Sequence, residues 1–341
     1  MNKFIGLILI IIVLGALPVA AKNGIDLEIA GVGARPMGMG RASVAVADDA
    51  NVIFSNPWGL GLQKSWGFTS MSTKLLGRVE YKMLGGVYPT DHGTLGIGYL
   101  AAITPAGYLT TDKSSLDSAP SLSYGSSLLL VSFGRDLNEV VNVSSGLGKL
   151  SVGANLKAVS NNLSGAAGSG SGSSLDVGFI FQPKANVMTG LNFKNLGGTV
   201  NWANGSKEDL PLITNLGGTV KFEKGLAALD LEFEGGSMLV HGGIEYRPFK
   251  LIALRAGLDQ SNLTGGVGIK VDGFSFDYAY RQDGDLSENS NHYISISFQP
   301  DVKVKKVANI SEKPEKAEVD GLYNLTKKPR GPAKNILSYY E

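Results

Sequence analysis

Between residues 65 and 299 the chain alternates apolar and polar side chains with a period of two, in one short segment after another. Phe274, Phe276, Tyr278 and Tyr280 share one face of such a segment; Ser275, Asp277, Ala279 and Arg281 share the other. Leu229, Leu231 and Phe233 likewise alternate with Asp230, Glu232 and Glu234. A period of two marks strands whose two faces meet different surroundings. With about ten residues per segment and a secretory signal in front, the pattern predicts an all-β fold. That fold is a transmembrane antiparallel β-barrel of the bacterial outer membrane, apolar outside and polar inside.

The signal is read from residues 1–21. Lys3 supplies the positive charge, an apolar run follows over 4–14, and Val19-Ala20-Ala21 offers small residues for cleavage after Ala21. An uncleaved anchor is the rival reading, disfavoured because the run is short for a span and small residues follow at once. The chain has no cysteine, which excludes a lipobox, disulfides and thiolate metal sites. No later segment has the roughly 18 unbroken apolar residues of a spanning helix. A membrane form must therefore cross with strands. The 46 glycines suit tight turns and curved strands, and a net charge of +1 without a basic stripe gives no sign of nucleic-acid binding, so no nucleic-acid partner is expected. A soluble secreted β-sandwich is the competitor that composition alone does not remove.

The expected strands are 65–75, 79–88, 93–103, 124–134, 148–160, 174–182, 185–195, 211–222, 225–234, 239–247, 251–259, 263–271, 273–281 and 292–298. That is about fourteen, an even number as bacterial barrels require. With the first strand running outward, the periplasmic connections are mostly tight and the outer ones hold the long excursions 104–123, 161–173 and 196–210 and the loop from Asp283 to Asn291. One connection, 135–147, is long where a short one is expected, and a brief helix near Asp136 is one account of it. Residues 300–341, rich in proline and lysine, are read as a flexible periplasmic tail. Tyr323, Ile336, Leu337, Tyr339 and Tyr340 would give that tail a docking face for a protein partner.

Ahead of the first strand, Gly33-Ala34-Arg35 leads to Gly38-Met39-Gly40, then Ala45-Val46-Ala47-Asp48-Asp49-Ala50, then Asn56-Pro57-Trp58-Gly59-Leu60. The glycines do not fit a dinucleotide fingerprint, because Ser43 stands where a small third residue is needed and no strand precedes them. Such density of small residues lets backbone lie against backbone. The stretch 40–49 is expected as a short strand or helix, with Asp48 and Asp49 as caps or turn formers. This pattern resembles the mature N-terminus of the PorV/PorQ family, relatives of the outer-membrane fatty-acid transporters of FadL type. Trp58 departs from it, since the family has alanine after Asn-Pro. The resemblance implies a fourteen-stranded barrel with residues 22–64 folded inward as a hatch. It also implies one of two roles: passive transport of hydrophobic small molecules, or an accessory barrel that hands over secreted cargo.

By alternation Lys157, Lys194, Lys221, Asp230, Glu232, Glu245, Arg247, Arg255, Asp259, Lys270, Asp277 and Arg281 face the lumen. Their mixed signs favour pairing and plug docking over an ion-selective pore. Arg35 is expected to reach a wall carboxylate such as Asp230 or Asp277. Tyr81, Tyr88, Tyr99, Phe181, Phe222, Phe233, Tyr246, Tyr280 and Phe298 are read as lipid-facing girdle residues. Tyr108, Leu109 and Trp202, on long outer loops, are candidates to capture a hydrophobic ligand or, equally, to pack over the barrel mouth. The glycine pairs Gly217-Gly218 and Gly265-Gly266 are candidate openings in the wall. The three histidines, His92, His241 and His292, lie far apart, so neither an enzyme, a cofactor nor a metal site is expected. The partners expected are membrane lipid, a hydrophobic small molecule and a protein bound by the tail.

Overall fold

The computed structural model describes residues 26–75, 77–108, 121–139, 148–164, 168–282 and 290–300. The signal segment, the tail beyond 300, Leu109 and the acidic loop at 283–289 lie outside the described residues.

All fourteen expected segments are strands: β1 (Gly67–Leu75), β2 (Val79–Thr90), β3 (Gly93–Tyr108), β4 (Ser121–Asp136), β5 (Lys149–Leu163), β6 (Gly168–Lys184), β7 (Val187–Trp202), β9 (Ile213–Phe222), β10 (Gly225–Glu234), β11 (Ser237–Phe249), β12 (Ile252–Asp259), β13 (Asn262–Val271), β14 (Phe274–Gln282) and β15 (Ser290–Phe298). The three-residue β8 (Lys207–Asp209) is an addition that pairs with the end of β7. Every neighbour is antiparallel, β6 pairs with β7, and β1 pairs with β15 from Phe68↔Phe298 to Thr73↔Tyr293. The sheet is a closed fourteen-strand barrel.

Closure leaves the outward face without a protein partner among the described residues. Leu84, Ile97, Leu129, Leu156, Leu229, Leu254, Phe276 and Ile294 are all exposed there, Ile97 at 58% and Leu229 at 57%. Such a continuous apolar wall is stable against lipid and not against water. The β-sandwich competitor is removed, because the sheet closes on itself and, among the described residues, no second sheet covers these side chains.

The two ends of the barrel differ. At the near end, where the chain enters β1, five turns hold two residues each, between β2 and β3, β6 and β7, β9 and β10, β11 and β12, and β13 and β14. The β4–β5 connection is longer there and begins with a 3-10 turn at Leu137–Glu139. The far end holds the longer connections, yet strands run further into them than the sequence suggests. The Gly/Ser-rich residues 168–173, expected as loop, belong to β6, and 196–202 to β7. In β6, ladder hydrogen bonds to neighbours on both sides outweigh the weak strand propensity of glycine and serine.

Three expectations about the wall change. Tyr81 is not a girdle residue: it is fully buried inside, and its hydroxyl donates to the Leu27 carbonyl at 3.1 Å. Strand parity requires this, since Tyr81 and Tyr88 are an odd number of residues apart and cannot share a face. Gly217-Gly218 and Gly265-Gly266 make no opening, because pairing runs through both without a shift. The irregular pairings lie between β3 and β4, β6 and β7, and β11 and β12.

Candidate functional site: the N-terminal segment and the inner wall

Residues 26–64 contain two one-turn helices, Ala34–Gly38 and Val52–Ser55, and two 3-10 turns, Leu27–Ala30 and Pro57–Leu62. Alone, elements this short are unstable. They hold because inward side chains grip them from around the barrel. The contacts come from Thr69 on β1, Tyr81 on β2, Asn155 on β5, Asn192 on β7, Asp230 on β10, Glu245 on β11, Thr264 on β13 and Ser295 on β15. A segment touched by the whole circumference fills the interior.

Its two halves meet different walls. The later half is apolar and lies against β1 to β6. Ile53, Phe54, Trp58 and Leu60 pack with Met71, Met83, Leu100 and Leu130 in one buried cluster. The Trp58 indole is fully buried and donates to the Leu191 carbonyl at 3.0 Å, while its own carbonyl accepts from Ser151 Oγ at 2.5 Å. Pro57 opens the 3-10 turn that feeds β1, and Asn56 Nδ2 donates to the Val44 carbonyl at 2.6 Å. This apolar inner wall corrects the expectation of a uniformly polar interior.

The earlier half meets a charged wall in two tiers. In the near-end tier, Arg35 Nε donates to Glu245 Oε2 at 2.8 Å, and its Nη1 contacts Asp48 at 2.6 Å and Asp49 at 2.7 Å. Arg255 holds Glu245 and Asp277 at 2.7 Å each, and Arg247 reaches Glu245 at 2.9 Å. The far-end tier joins Arg41 to Glu232 and Asp259 at 3.7 Å each. Arg281 also reaches Asp259, at 2.7 Å, as does His241 at 2.9 Å. Between the tiers the backbone at Met39-Gly40 lies directly on the wall. A Cβ at Gly243 would stand 2.2 Å from the Met39 oxygen, and one at Gly257 would stand 2.3 Å from the Gly40 nitrogen. Gly40 itself has φ +64°, a conformation that favours glycine.

The expected partner of Arg35 changes accordingly. Asp277 is taken by Arg255, and Asp230 Oδ2 instead accepts the amides of Ser43 and Val44 at 2.6 and 2.8 Å. The stretch 40–49 is a run of turns rather than a strand or helix. Asp49 forms one of them by accepting from the Asn51 amide at 2.9 Å. Burial works to raise the Asp48 carboxyl, but the charges of Arg35 and Lys221 outweigh it and hold the group below its ordinary value of 3.8. Gly33 caps the first helix at φ +83°, and Gly38 meets Gly266 across the interface.

A further cluster was only half visible in the sequence. Lys157 contacts Glu28 and Asp176, the latter at 3.0 Å, and Lys194 donates to the Phe54 carbonyl at 2.9 Å. Asn195, at φ +62° beside the β6–β7 irregularity, donates to Asp26 at 2.7 Å. The alternation marked both lysines, but Asn195, Asp26 and Glu28 carried no signal. Of the loop candidates, Trp202 is half-buried at the end of β7, its indole over Gly170. Tyr108 ends β3. Among the described residues, no group of histidine and carboxylate side chains is arranged to hold a metal.

No family model matches the chain, and no curated protein matches its sequence. Solved structures do match. The toluene transporter TbuX of Ralstonia pickettii superposes with a TM-score of 0.56 at 15% identity, covering 81% of this chain and 100% of that one. The CymD monoaromatic hydrocarbon channel gives 0.56 at 16% identity, over 81% and 99% of the two chains. The toluene transporter TodX of Pseudomonas putida gives 0.54 at 15% identity, over 84% and 100%. At such identities the likeness is one of fold: the chain shares the closed barrel of these transporters and channels.

Proposed function

We propose that the protein is an outer-membrane barrel of FadL type that passes hydrophobic small molecules passively. The observation that carries this reading is the apolar inner wall. A water-filled porin lines its lumen with polar groups. Here Tyr81, Leu100, Ala102, Leu128, Val159 and Val200 face inward beneath the N-terminal segment, and they give an apolar molecule a surface to follow once that segment moves. The hydrocarbon transporters of the same fold support it. In this reading residues 22–64 act as a hatch: cargo enters from the far end, outside the cell, and leaves when the ionic contacts of Arg35 and Arg41 loosen. Both termini lie in the periplasm, and residues 1–21 direct export.

The test is uptake of labelled toluene by cells that lack their own hydrocarbon transporter. Expression should raise the rate, and Leu128→Asp with Val159→Asp should return it to background while the barrel still forms. An uptake rate unchanged by expression refutes the reading. The accessory-barrel alternative, of PorV type, rests on the resemblance of residues 33–60 and on the tail at 300–341. Deleting 300–341 leaves uptake intact under the transport reading and abolishes capture of a partner under the alternative.

A further inference from the structure

We propose that the far rim of the outward face, on β15, β1 and β2, binds the phosphorylated sugar headgroup of an outer-leaflet glycolipid. The strand register sets the outward side chains there in rows. Tyr280 pairs with His292, and Lys74 follows Thr73, the partner of Tyr293, so it comes beside His292 and opposite Glu80. The row beneath runs Tyr278, Ile294, Ser72 and Lys82. All of these are exposed, as is Arg78 in the turn between β1 and β2. Among the described residues of the long strands, the far half of the outward face carries charge nowhere else.

The patch is positive after its one ion pair is counted. Glu80 is the single acid; it stands opposite Lys74 but contacts Lys82, at 3.6 Å. Among the described residues no carboxylate reaches Lys74 or Arg78, so two cations remain. Groups that can both donate and accept lie beside them. The Tyr278 hydroxyl is 2.7 Å from His292 Nδ1, and Ser290 Oγ is 3.4 Å from Nε2. One row further in, the lipid belt resumes with Phe276, Ile296 and Leu84, and Ser70 between them gives its hydroxyl to the Ile296 carbonyl at 2.8 Å. A lipid answers all three features: acyl chains along Ile294, Ile296 and Leu84, phosphate at the cations, sugar hydroxyls at the polar row. It reaches the rim along the apolar wall without crossing water. That continuity selects a lipid over an acidic protein. The inference rests on the far end facing outside the cell, as read above, and is independent of transport.

The full-length barrel is purified in neutral detergent and offered bisphosphorylated lipid A, phosphatidylglycerol or phosphatidylethanolamine, with bound lipid read by native mass spectrometry. Lipid A should be retained at least about tenfold more tightly than phosphatidylethanolamine and about fivefold more tightly than phosphatidylglycerol. Lys74→Gln with Arg78→Gln should weaken lipid A about thirtyfold and leave phosphatidylethanolamine unchanged, at about fivefold for each cation near a headgroup. Heat-modifiable gel mobility reports folding of the variant. If the double variant does not fold, Arg78→Gln alone should lose about fivefold. Equal retention of lipid A and phosphatidylethanolamine, or a preference that survives the substitutions, overturns the site. Phosphatidylglycerol held as tightly as lipid A overturns the glycolipid as its occupant. Ser237→Cys, exposed at the same end of a chain without cysteine, should react with an impermeant maleimide on intact cells. Reaction only after lysis places the far end inside and overturns the proposal. A protein that binds lipid A as expected yet moves no toluene refutes transport and leaves the site standing.

Discussion

Arg35 ties the N-terminal segment to the wall at Glu245, and the same buried guanidinium holds Asp48 and Asp49 of the segment itself. Removing one partner of a buried ion pair leaves the others uncompensated, at a cost of about 3–5 kcal/mol. Arg35→Ala should therefore release residues 26–64 to protease or to hydrogen exchange while the barrel keeps its heat-modifiable mobility. Protection equal to the wild type would mean the apolar half alone holds the segment. Protonation reaches the same contact through Asp48, whose side chain is 34% exposed. Its docked value lies below 3.8, so the stability it contributes is complete above that value and is lost as pH falls below it. Amide protection around Asp48 should be flat from about pH 8 to about 5 and decline below about 4, and Asp48→Asn should flatten that decline. The sequence marked Arg35, ahead of the first strand, as needing an acid on the wall. It did not announce Glu245, because which wall carboxylate comes within reach depends on the register of β11 and β12 and on the turn at Gly33. Neither is written in residue spacing.

At the level of elements, strand existence was legible everywhere and strand ends were not. Period-two alternation located all fourteen long strands, since each must sort its side chains between lipid and interior. It underestimated β6, where ladder pairing carries Gly-Ser residues with no apolar side to reveal them, and β7, where Gly197-Gly198 interrupts the alternation. The N-terminal segment was legible only as a density of small residues, and the structure supplies the reason: backbone rests on backbone at Met39-Gly40. Gly243→Ala or Gly257→Ala would put a methyl group into that contact, and overpacking of this kind costs about 1–3 kcal/mol. Either should raise exchange in residues 26–64. Gly218→Ala is the control, with nothing within 4 Å of the added carbon, and should leave exchange unchanged. If all three behave alike, the groove is not what seats the segment. The apolar half makes a second, separable demand. Trp58→Ala empties a fully buried site and should cost about 3–5 kcal/mol. The loss should appear as earlier release of the segment in urea, before the barrel itself unfolds.

For the whole molecule, the interior is divided. Apolar packing lies toward β1 to β6, interrupted by the buried cluster of Lys157 and Asp176 with Glu28. Ionic contact lies toward β10 to β14, with one chain segment bridging the two sides. Below the far rim the outward face is uniform, and the solvent assigned to it decides everything else. Leu129 tests that assignment. It faces outward near the middle of β4, 43% exposed, between the buried Leu128 and Leu130. In a bilayer, an arginine near the midplane of a barrel's lipid face costs about 2–4 kcal/mol, while in water an exposed leucine-to-arginine change is close to neutral. Leu129→Arg should lower the urea-unfolding free energy of the barrel folded into lipid vesicles by that amount. Thr90→Arg, at the near-end turn where headgroups and water begin, should cost at most about 1 kcal/mol. A depth-dependent pair of this kind arises only from a low-dielectric slab around the strands. If the two substitutions prove equally mild, the apolar wall does not face lipid, and both the transport reading and the rim site lose their foundation.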